Sequence, residues 1–256
     1  MNHERRQRAQ SRADRPGARA GRVGALVVAV NAAASGRPTP IAAGRALLAD
    51  CGAALDRVRN LSGSSPVQFA AAYAPLAENV AEYVQRLPAV GDPEPTILAA
   101  RLRRAEGALA RRRARLLPPD ADPERIAREA DLWTYVAFGL ALLRGLARDL
   151  DAWSVALWTA DRRPLGLWRP WEAPRGLARV AGAAAYTVDR HRDPPGGDWT
   201  PLVAGALMPA DGLHWLWREP AVLAVWARAL TAELPAELAS WFDDPTRSPW
   251  RAPPCP

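Results

Sequence analysis

The stretch LWTYVAFGLALLRGL, residues 132–146, most constrains the fold, because it is apolar almost all round. A helix without a polar face has no side to offer to water, so it belongs in the middle of a domain with other helices laid over it. Asp122-Pro123-Glu124 opens it as an N-cap followed by proline, and Glu129 and Asp131 suit the electropositive N-terminal half. The pattern predicts a helix running to about Asp151.

The rest of the chain supplies the covering layers. At 256 residues it is long enough for one generous domain with a sizeable core. Ala and Leu dominate over Val and Ile, which favours helices over sheet. Apolar positions Leu47, Leu48, Leu55 and Val58 recur at helical spacing between Ile41 and Asn60. Ser65-Pro66 caps a helix through Phe69, Tyr73, Leu76, Val80, Tyr83 and Leu87, which Pro75 should kink. Thr96 caps the next, with a stripe of Leu98, Leu102, Ala105, Leu109 and Leu116. Val155–Trp158 and Leu165–Trp168 flank ADRRP as a β-hairpin or a packed loop. Short helices are expected near Gly176–Tyr186, Pro201–Leu207, Pro220–Thr231 and Pro235–Phe242, with an exposed loop at 192–198. No internal repeat is present. The expected architecture is all-α, with at most one short hairpin over 155–168. It comprises a disordered Arg/Ala-rich leader (1–37), a helical domain (38–245) and a Pro-rich tail (246–256).

Charge is unevenly spread. The formal net charge is +7, and all 34 basic residues are Arg. Between 101 and 115 seven Arg face one acid, Glu106, so a single helix carries most of the surplus. Arg forks bind phosphate in bidentate fashion at any relevant pH. Arg101, Arg104, Arg111, Arg112 and Arg115, joined by Arg144 and Arg148, are therefore candidate nucleic-acid or phosphate contacts. About five neutralised phosphates would give a salt slope of about −4 to −5. The same pattern also describes a solvated helix face.

Other chemistry-bearing residues are sparse. Cys51 and Cys255 form no metal spacing or disulfide framework, which fits a reducing cytosol. Residues 23–34 form an apolar run too short to span a bilayer. With the Arg-rich leader before it this run imitates an export signal, so export stands as an alternative to a cytoplasmic protein. The Trp residues, dense around 153–171 and 215–226, suit core packing more than base stacking, and Tyr73, Tyr83, Tyr135 and Tyr186 read as packing residues. His191 lies in a charged surface run, and His214 among apolar neighbours reads as semi-buried. Gly196-Gly197 lacks the following residues of a phosphate loop.

The order of short motifs resembles the N-terminal domain of TraI-type relaxases of the MOBH class, found in conjugative plasmids and integrative conjugative elements. Over roughly residues 38–245 the resemblance rests on Pro38-Thr39-Pro40-Ile41 and on Phe69…Pro75-Leu76…Tyr83-Val84…Leu87-Pro88-Ala89. It continues with Leu142-Leu143-Arg144-Gly145-Leu146-Ala147-Arg148, Trp168-Arg169-Pro170, and Tyr186 before His191. It implies an HD-like helical domain that binds DNA near a transfer origin and nicks it with metal assistance. The family's first histidine, second histidine and aspartate fall here on Arg101, Arg144 and Gly145, none of which can donate a lone pair to a cation. The expectation is a degenerate, non-catalytic relaxase-like accessory with no metal and no cofactor, partnered by DNA and by conjugation or element-transfer proteins. Arg101 and Arg144 would then hold directly the phosphate that a metal once bridged, or the site has decayed and they snorkel to solvent or form structural ion pairs, exposure being the cheaper answer given the cost of burial. A buried guanidinium there needs a partner such as Asp149 or Asp151. Two readings stay open beside it: an active metal-dependent nickase or phosphohydrolase with an unrecognised site, and a helical protein-interaction scaffold. Oligomeric state is left undetermined.

Overall fold

A computed structural model describes residues 37–242 apart from 92–93, 116, 119–120, 172–175, 192–195 and 232–233. The leader up to residue 36, the tail 246–256, Leu116 and most of the 192–198 loop lie outside the described residues. In chain order the elements begin with β1 (Thr39–Pro40), α1 (Gly44–Ala49), α2 (Gly52–Ser62), α3 (Pro66–Gln68), a π turn (Phe69–Tyr73) and α4 (Ala74–Val84). Next come α5 (Ile97–Arg113), α6 (Pro123–Leu143), α7 (Leu146–Asp151), β2 (Trp153–Trp158), β3 (Pro164–Leu167) and β4 (Ala185–Arg190). Helices α8 (Thr200–Leu207), α9 (Ala210–Trp217), α10 (Pro220–Thr231) and α11 (Ala236–Phe242) close the order. The protein is mainly helical, with one small antiparallel sheet of strand order β1-β4-β2-β3. Among the described residues no helix is long and apolar enough to cross a membrane.

Helix α6 is the buried centre that its composition demands. Leu132, Trp133 and all residues from Tyr135 to Leu143 are buried. Asp122 accepts a hydrogen bond from the Arg125 N–H and Pro123 stands in the first turn, as the sequence indicates. Helix α5 packs along α6 on one side and α2 on the other, while α10 and α9 lie against α6.

Helix α6 ends at Leu143 rather than continuing to Asp151. Gly145 adopts φ 72°, a left-handed conformation that an L side chain enters at a cost. The chain turns there and restarts as α7. The 41–60 segment likewise divides into two helices, because α1 packs on α4 whereas α2 packs on α5. Gly44 lets α1 approach the Glu78 backbone so closely that a Cβ would collide with its carbonyl. The kink expected at Pro75 takes the form of the π turn just before it, whose wider loop accommodates the missing proline N–H.

The 155–168 segment is a hairpin. β2 pairs with β3 through Ala156↔Leu167 and Leu157↔Gly166, with a bulge at Leu157/Trp158. On its other side β2 pairs with β4 from Trp153↔Arg190 to Trp158↔Ala185. β4 corrects the expectation of a helix near Gly176–Tyr186. The alanine run there reads as helical, but only a 3₁₀ turn forms at Leu177–Arg179, and Tyr186-Thr187-Val188 supplies the strand.

Candidate functional site: an arginine-lined cleft

Thr96 starts α5 by accepting from the Ala99 N–H, and Leu98, Leu102, Ala105 and Leu109 bury one face. The face carrying Arg101, Arg104, Gly107 and Arg111 is left to line a cleft of about 320 Å³. Ala89, Val90, Arg103, Asp149 and Phe242 form its other boundaries. Four guanidinium groups thus stand against one lining carboxylate.

Arg101 is only 2% exposed, which corrects the expectation that it reaches solvent: the ion pair with Asp149 offsets the cost of burial. Its Nε and Nη2 donate to Asp149 Oδ2 at 3.0 and 2.6 Å, and its Nη1 donates to the Arg144 carbonyl. The left-handed turn at Gly145 aims that carbonyl away from the helix ladder, and Arg104 Nη1 approaches the same oxygen at 3.5 Å. Arg104 also lies over the Phe242 ring, 5.6 Å from its centroid. Arg111 Nε donates to the Trp241 carbonyl at 2.7 Å, and Arg103 faces Glu94 at 3.4 Å. Asp151 instead accepts from Trp199 Nε1.

The positions where the resemblance places metal ligands partly converge. Arg101, the Arg144 carbonyl and Gly145 meet beside Asp149, but the Arg144 side chain leaves the cleft and its Nε donates to the Ala229 carbonyl at the end of α10. The seven arginines singled out in the sequence do not form one continuous phosphate-facing row. Arg104 and Arg111 line the cleft, and Arg115 and Arg148 are exposed. Arg112 is buried, donating to the carbonyls of Arg115 and Ala130, and burial lowers its pKa below the ordinary arginine value. Sequence spacing did not single out Arg103, Gly107 and Phe242 for the cleft. Gly107 lies three and four positions from Arg104 and Arg111, a spacing that could have flagged it.

Two parts of the resemblance meet in space. Tyr83 packs edge-on against Trp168 at 5.4 Å, and its hydroxyl donates to the Pro170 carbonyl. The Tyr186 hydroxyl accepts from the Arg86 N–H, and Trp153 Nε1 donates to the Pro88 carbonyl. All four tyrosines are buried, and burial raises each phenol's pKa above its usual value. Trp133, Trp158, Trp168, Trp226 and Trp241 are core, whereas Trp171 and Trp217 are exposed. His191 is exposed, and so is His214, which corrects its semi-buried reading. Among the described residues no group of three or more His, Cys, Asp and Glu is placed to hold a metal ion.

Neither a protein-family model nor a curated protein sequence matches this chain. Fold and site together define a mainly helical domain with an arginine-lined cleft. The charge-assisted hydrogen bonds that the structure shows there are internal, from Arg101 to Asp149, and guanidinium groups can make the same bonds to phosphate or carboxylate oxygens.

Proposed function

We propose that the protein is a non-catalytic, relaxase-like accessory of conjugative or integrative-element DNA transfer, built on an HD-like helical domain and holding DNA by its phosphates in the cytoplasm. One observation carries this reading: Arg101, at the position the resemblance gives to the first metal-binding histidine, lines an arginine-rich cleft. Arginines beside it, such as Arg104 and Arg111, would attract the same phosphate oxygens as a cation but could not activate water or a phenol as a metal does. The contact between Tyr83 and the Trp168–Pro170 element supports the resemblance, since motifs far apart in sequence pack together.

The test is DNA binding followed by fluorescence anisotropy across salt. Arg101 and Arg112 already serve internal acceptors, so about three phosphates rather than five are expected to be neutralised, a slope of about −3. The double substitution Arg104→Gln/Arg111→Gln should weaken binding about ten-fold or more at low salt and reduce the slope by about 2. Absent binding at low salt, or binding indifferent to both substitutions, removes the DNA reading. Metal-dependent strand cleavage by the purified protein removes the non-catalytic one.

A further inference from the structure

We propose that the outer face of the sheet is a docking surface for this chain's own apolar run, residues 23–34. Val155, Leu157 and Tyr186 belong to the core on the inner face. Side chains alternate along a strand, so Ala156, Trp158, Ala185 and Thr187 point the other way. An antiparallel sheet face left to water carries polar residues. This one sets an indole among small side chains, and Trp158 is only 8% exposed. An indole buries roughly 150–250 Å². Among the described residues its apolar cluster holds only Ala156 and Ala185, too little to cover it. Its Nε1 is answered within the sheet, donating to Thr187 Oγ1 at 3.2 Å. Two residues further along β4, Asp189 Oδ2 is buried and accepts no hydrogen bond. The face therefore calls for a further layer that is apolar and brings a donor.

Tether, chemistry and size select the occupant. A groove of about 470 Å³ runs beside Trp158, and one wall is Arg37, Pro38, Thr39 and Pro40, the first described residues. Ala34 lies three positions before Arg37, about 10 Å of extended backbone, so the run reaches the groove without a long linker. Attached in this way it is present at an effective concentration in the millimolar range, ahead of partners from solution. The segment VGALVVAVNAAA carries no charge between Arg22 and Arg37, and its one polar side chain, Asn31, can donate to Asp189. As a helix it would measure about 18 Å, the width of four strands spaced about 4.8 Å apart. Arg37 and Arg162 stand exposed at the rim, so their charges stay in water beside the apolar floor. The groove shares no lining residue with the arginine-lined cleft, and the docking is independent of phosphate binding there.

Oxidative footprinting of the full chain, read residue by residue by mass spectrometry, tests this. Trp158 should oxidise about eight-fold slower than Trp217, the ratio of their exposures of 8% and 68%. Val28→Asp/Val30→Asp puts two charges into the run and should raise the Trp158 rate most of the way to that of Trp217. The enclosed Trp241 should stay protected, which shows that the core is intact. Hydrogen exchange gives a second reading that needs no change in the run and decides the matter if Trp241 becomes reactive. Amides of 23–34 should exchange about ten-fold or more slower than those of 5–20, and Trp158→Ala should erase the difference. Rapid oxidation of Trp158 in the unaltered chain, or protection that survives both charges with Trp241 intact, overturns the proposal. So does exchange across 23–34 as fast as across 5–20. Protection that fades on dilution makes a second copy the cover and overturns it as well.

Discussion

A guanidinium held 2% exposed must have its donors answered inside the protein, and Arg101 shows how. Two donors go to Asp149, one to a main-chain oxygen, and the charge is balanced on a single side. Asp149 is 42% exposed, so water screens part of the attraction and the pair is worth less than a fully buried one. Asp149→Ala should cost about 2 kcal/mol, below the roughly 3–5 kcal/mol for breaking an enclosed pair, as read from urea unfolding. Asp149→Asn keeps an acceptor and should cost about half as much. The cost of burying a guanidinium already requires an acid for Arg101, and Asp149 and Asp151 are the candidates in the sequence. Nothing local in the sequence distinguishes the two. The choice depends on the turn at Gly145, which brings Asp149 to Arg101 while Asp151 meets Trp199.

Among the elements, helix starts were read more surely than helix ends. Thr96, Ser65 and Asp122 each accept from a backbone N–H of the following turn, and that chemistry is local to four residues. Ends and interruptions depend on what a helix packs against. The split between α1 and α2 follows from two different packing partners, and β4 follows from pairing with β2 rather than from its alanine-rich lead-in. The break after α6 is the most consequential, since it frees the Arg144 carbonyl for the cleft. Gly145→Ala places a Cβ in open space but in a left-handed conformation, so it should destabilise by about 1–2 kcal/mol from backbone strain alone. Because the same turn aims the acceptor of Arg101, this variant should also weaken phosphate binding, measured by calorimetry beside the unfolding curve.

At the scale of the whole molecule, one contiguous core joins the helices to the sheet, and four tyrosines are set into it. Tyr73 packs edge-on to Tyr135, and Tyr135 stacks on Trp215. Burial is the leading cause of the raised pKa at all four, so each stays protonated in the folded state beyond pH 10 while the unfolded chain ionises there. The unfolded state then binds fewer protons than the native one, and stability falls as pH rises. Stability from these groups is fully present below pH 10 and should decline above it by up to about 1.4 kcal/mol per pH unit for each tyrosine. Urea midpoints between pH 8 and pH 11 measure this; a flat profile would contradict the burial of the phenols. That these side chains are packing residues followed in the sequence from the absence of a recognisable metal site that could make one of them a nucleophile. Which of them touch did not follow, because Tyr135 and Trp215 lie eighty residues apart. The open margin of the sheet has its own outcome for handling the protein. β3 is four residues long, begins on a proline that cannot donate, and joins β2 through a bulge beside Arg162 and Arg163. Such a border discourages lateral strand addition, so concentrated samples should resist fibril growth even though Leu165 and Leu167 face water.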